Sequence, residues 1–92
     1  MKEFFKQLCK KYPDLKLGLI IESNKALCIE SISYKGSSQS AIISEIIAYF
    51  KTLKLSSLIV MKCNFDLSLH EFTPLKNNSY EYTNNLKLTW NK

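Results

Sequence analysis

Hydrophobic positions along the chain follow two different periods, and the changes between them divide it into elements. Ile42, Ile43, Ile46, Ile47, Phe50 and Leu53 fall on one side of a 3.6-residue helix over Ser38 to Leu55. That face belongs against a sheet. On the opposite side Ala41, Ser44, Ala48 and Thr52 occupy a narrow arc where a solvent-facing helix usually carries Lys and Glu, with Glu45 and Lys51 flanking it. Small side chains there let another helix approach closely, and the alternative is a neutral, solvated back face.

Lys2 to Tyr12 predicts a first helix. Phe5, Leu8, Cys9 and Tyr12 form its apolar face, and Lys2, Lys6 and Lys10 recur every fourth residue as a stripe that reads as solvated. Pro13 and Asp14 stop it. A period of two follows. Leu17, Leu19 and Ile21 alternate with Gly18, Ile20 and Glu22, Ser23 to Lys25 supply a turn, and Ala26 to Ser33 resumes the alternation, which predicts an antiparallel hairpin. Ser37 or Ser38 can cap the central helix.

Beyond Lys54, the apolar run Leu58 to Cys63 marks a buried strand, and Asn64 to Asp66 a turn. The alternation of Phe65, Leu67 and Leu69 predicts a further strand over Leu67 to Phe72, although Phe65, Leu69 and Phe72 would also share a helical face. Pro74 would cut such a helix short. Lys76 to Ser79 is a polar loop. Tyr80, Tyr82, Leu86, Leu88 and Trp90 keep one phase, as one long strand or as a hairpin turning at Asn84 and Asn85. The predicted fold class is α/β (α+β), a single domain over residues 1–92. Its order is helix-strand-strand-helix-strand-strand-strand, on a central and mostly antiparallel sheet.

Composition narrows the function classes. The 92 residues suffice for one core, and no apolar run reaches the length that spans a bilayer. The lysine-rich start lacks a secretory h-region, and Cys9, Cys28 and Cys63 are an odd set without C-x-x-C spacing. Both point to a reduced, cytoplasmic setting with each thiol a small core hydrophobe. His70 is the sole histidine, so neither a zinc site nor a Ser-His-Asp or Cys-His set is recognisable. No metal, no cofactor and no catalytic residue is assigned. The net charge of +5 comes from lysines alone; without arginine the chain lacks the side chain best suited to bidentate base and phosphate contacts, which argues against sequence-specific nucleic-acid reading. Salt-sensitive attraction to polyanions remains an option.

Two resemblances carry further expectations. The stretch Tyr12-Pro13-Asp14-Leu15-Lys16-Leu17-Gly18-Leu19-Ile20-Ile21-Glu22, then Leu27-Cys28-Ile29-Glu30-Ser31, resembles the loop-and-hairpin pattern of the roadblock family of dynein light chains and bacterial motility regulators. That resemblance implies a non-catalytic scaffold or adaptor, dimerising through its second helix and the neighbouring edge strand or docked in a larger complex, often on a small GTPase or motor subunit. The contact positions would be Ala41, Ser44, Ala48 and Thr52. Lys35-Gly36-Ser37-Ser38-Gln39-Ser40, after a strand and before a helix, is similar in position to the acetyl-CoA pyrophosphate loop of the GNAT acetyltransferases. It implies acetyl-CoA held by Lys35, Gly36, Ser38 and Ser40. Ser38 and Ser40 stand where that loop has glycines, which points to a degenerate binding module or small inhibitor rather than an active enzyme.

Overall fold

The computed structural model describes residues 2–83. Its elements are α1 (Lys2–Lys11), β1 (Lys16–Leu17), β2 (Ile20–Glu22), β3 (Ala26–Ser33), α2 (Gln39–Thr52), β4 (Ser57–Cys63), β5 (Thr73–Pro74) and β6 (Tyr80–Thr83), with 3-10 turns at Leu67–His70 and Lys76–Asn78. The α/β class and the mostly antiparallel sheet match the expectation, and the order of helices and strands matches it roughly. The remainder of the predicted C-terminal strand or hairpin, including Leu86, Leu88 and Trp90, lies outside the described residues.

The hairpin forms in a single register, Leu17 opposite Ile32 and Ile20 opposite Ile29, but its first arm is broken into β1 and β2 at Gly18 and Leu19. Gly18 donates to the Ser31 carbonyl and the Leu19 carbonyl accepts from Glu30, two adjacent bonds that a regular antiparallel ladder would not place side by side. The Leu19 amide, displaced from the ladder, donates to Glu30 Oε1 at 3.1 Å.

Strand order is β1-β3-β4-β6-β5, with β2 extending β1 along the same edge of β3. Among the described strands only β3 and β4 pair in parallel, and α2 is the crossover that joins them. Cross-strand rows Leu27, Leu58, Tyr82 and Ile29, Val60, Tyr80 face the helices. Phe5 and Leu8 of α1 and Ile42, Ile43, Ile46 and Phe50 of α2 complete one core with them. Each fully buried aliphatic or Phe side chain there contributes about 1.5–3 kcal/mol. On the other face, Ile21 and Met61 are exposed.

The strand predicted over Leu67 to Phe72 is not formed. Asp66 caps a 3-10 turn instead, its carboxylate accepting from the Ser68 amide at 2.9 Å and the Ser68 hydroxyl at 2.6 Å. Glu71 in the left-handed region (φ 71°) ends it. Leu67 enters the core and Leu69, which the strand phase would have buried beside it, is 79% exposed.

Candidate functional site

The outer face of α2 is built by the same periodicity that buries its inner face. With Ile42, Ile43, Ile46 and Phe50 sequestered, Ala41, Ser44, Ala48 and Thr52 are all exposed. The Thr52 hydroxyl donates back to the Tyr49 carbonyl at 2.6 Å, so it is satisfied within the helix. Beside this face runs a groove of about 400 Å³ between α2 and the 3-10 turn, lined by Ser44, Ile47, Ala48, Lys51, Leu69 and His70 among others. Two of the four predicted contact positions, Ser44 and Ala48, therefore share a surface with the exposed Leu69. Ala41 and Thr52 do not line the groove.

The turn that presents Leu69 is held from both sides. Hydrogen bonds from Ser68 hold the Asp66 carboxylate below the usual carboxylate range. The His70 ring meets Phe65 edge-on at 6.3 Å. Sequence reasoning missed Leu69 because its spacing from Leu67 mimics a strand; the Asp66-x-Ser68 cap was the available signal.

The orientation of α2 is set by α1. Phe4 and Tyr49 stack with ring centroids 4.1 Å apart and planes 3° from parallel. Glu45 accepts from Lys11 Nζ at 3.0 Å and Tyr12 Oη at 2.8 Å, and those bonds, Lys11 first, lower its pKa.

On the flank of α1 away from α2 lies a second, larger groove of about 500 Å³ between the helix and β1–β2. Phe5, Cys9, Leu17, Leu19 and Ile20 line it, and Lys2, Lys6 and Lys10 form its rim. The lysine stripe is exposed, as expected, but it borders an apolar channel rather than a plain solvated face. No single stretch of sequence shows this, because the lining comes from a helix and an edge strand.

Lys35 to Ser40 joins the carboxyl end of β3 to α2. Ser38 occupies the N-cap position, with Ile42 donating to its carbonyl, but its side chain makes no capping bond. A Cβ at Gly36 would collide with the Tyr34 ring, so the phenol lies over the glycine where a pyrophosphate would need access. Asn64 closes the same end of the sheet: its amide donates to the Ile32 carbonyl at 3.2 Å, and its Oδ1 accepts from Tyr34 at 3.0 Å.

Cys9, Cys28 and Cys63 are half-buried free thiols, and burial raises the pKa of Cys63. Among the described residues no group of His, Cys, Asp or Glu could hold a metal ion, and no helix is long and apolar enough to cross a membrane. Compared with models of protein families, with curated proteins and with solved structures, the chain matches none.

Proposed function

We propose that this protein is a non-catalytic interaction module that self-associates through the outer face of α2. The observation that carries the reading is the pairing of Ser44 and Ala48, small and exposed, with Leu69, exposed at 79%, across one groove. Small residues permit close approach of a second helix and Leu69 supplies an apolar anchor, the combination of a flat seat and a protruding side chain that interfaces use. The strand that follows α2, β4, lies inside the sheet, paired with β3 on one side and, over Ser57 to Val60, with β6 on the other. The contact therefore uses the helix face alone, without the strand that the roadblock resemblance would add. Backbone NMR at rising protein concentration tests the surface. Shifts confined to residues 41–52 and 67–70 support it, and shifts elsewhere or none at all refute it.

A second reading rests on the parallel β3–α2–β4 unit. Ligands of open α/β sheets bind outside the carboxyl ends of parallel strands, and the loop Lys35, Gly36, Ser38, Ser40 stands at that end. Acetyl-CoA binding there requires Tyr34 to swing off Gly36.

A further inference from the structure

The groove between α1 and the sheet edge carries an inference that goes beyond self-association through α2. Its volume of about 500 Å³ lies in the range of about 300–1,000 Å³ usual for ligand pockets. Its two rims differ in chemistry. One is Lys2, Lys6 and Lys10, all exposed and none of them in an ion pair among the described residues; the described ion pair of α1 is Lys11 with Glu45, on its other flank. The other rim is backbone. Ser23 donates to the Ala26 carbonyl at 2.9 Å, so in this register the bonded pairs are Ser23 with Ala26 and Ile21 with Cys28. The intervening Ile20 and Glu22 then point their N–H and C=O groups away from β3, along an edge that no described strand covers. Leu19 and Ile21, 63% and 53% exposed, stand on the same edge.

We propose that this edge binds an extended acidic–apolar polypeptide by strand addition, with apolar side chains entering the groove and carboxylates on Lys2, Lys6 and Lys10. An acyl chain would fill the apolar channel but leave the edge amides and carbonyls unmatched, whereas a peptide backbone satisfies them. The lysines supply the charge complement.

Panning a random phage-displayed octapeptide library on the full chain tests this. The selected peptides carry large apolar residues and Asp or Glu on the same alternate set of positions, the face that meets the groove and its lysine rim. A synthetic copy of the consensus binds the Lys6→Glu/Lys10→Glu double variant about tenfold more weakly, as does a copy N-methylated at alternate amides binding the wild type. Ala48→Arg binds it unchanged, which separates this edge from the α2 contact. Circular dichroism confirms that each variant is folded. The proposal is overturned by no enrichment over bare support, by a consensus without acidic residues, or by equal affinity for the N-methylated copy. Retention of anionic phospholipid vesicles with no peptide selected overturns it in favour of a lipid surface.

Discussion

Tyr12 and Glu45 meet across the two helices, the phenol donating to the carboxylate at 2.8 Å while Lys11 donates to the same oxygen at 3.0 Å. With Phe4 stacked on Tyr49, this junction fixes how α2 lies on the sheet and hence how its outer face is presented. The Glu45 side chain keeps 34% of its exposure, so solvent screens the pair and its worth is modest.

A pH dependence follows from the junction. The folded-state pKa of Glu45 is lowered, chiefly by the Lys11 hydrogen bond and then by Tyr12. A depressed carboxylate contributes stability that is fully present above its unfolded value of about 4.3 and is lost as pH falls through the folded value. Chemical denaturation of Glu45→Gln should show a lower midpoint than wild type at pH 7, with the gap closing as pH falls through that window. A gap that stays constant with pH would contradict this account.

Gly18 is required by close approach, not by backbone conformation. A Cβ there would lie 2.5 Å from Ser31 Oγ and 2.9 Å from Glu30 Oε1, the oxygen that receives the Leu19 amide. Gly18→Ala should displace Glu30, hand the Leu19 amide to water and cost about 0.5–1.5 kcal/mol in urea unfolding. An unchanged midpoint would show that Ser31 and Glu30 yield freely.

What the sequence revealed divides along physical lines. Ile42, Ile43, Ile46 and Phe50 announced their helix and its buried face because local periodicity and core burial agree. The hairpin was equally legible, apart from the break at Gly18 and Leu19, which depends on where Glu30 places its carboxylate. The parallel partnership of β3 and β4 was hidden, since it joins apolar strands on either side of a helix, and apolar strands carry no mark of direction. The signal available was the order strand-helix-strand together with the near-continuous apolar run of β4. Residues 65–72 misled because Phe65, Leu67 and Leu69 alternate like a strand, while the deciding bonds come from Asp66 to Ser68. The α2 face could be read as small and neutral, but its neighbour Leu69 could not.

Calorimetry with acetyl-CoA decides the second reading. With the Tyr34 ring over Gly36, the loop offers phosphate no open cradle. No saturable heat is expected from the wild type at millimolar ligand, because the Tyr34 ring covers the glycine. Saturable binding that strengthens in Tyr34→Ala would establish the loop as a ligand site.

The central claim concerns the outer face of α2, and light scattering across micromolar to millimolar concentration tests it most directly. Ala48 is exposed, so Ala48→Arg leaves the core untouched while filling the seat beside Leu69 with a long charged side chain. The wild type is expected to dimerise and the Ala48→Arg variant to stay folded and monomeric. A wild type that stays monomeric throughout, or a variant that dimerises as well as its parent, would contradict it.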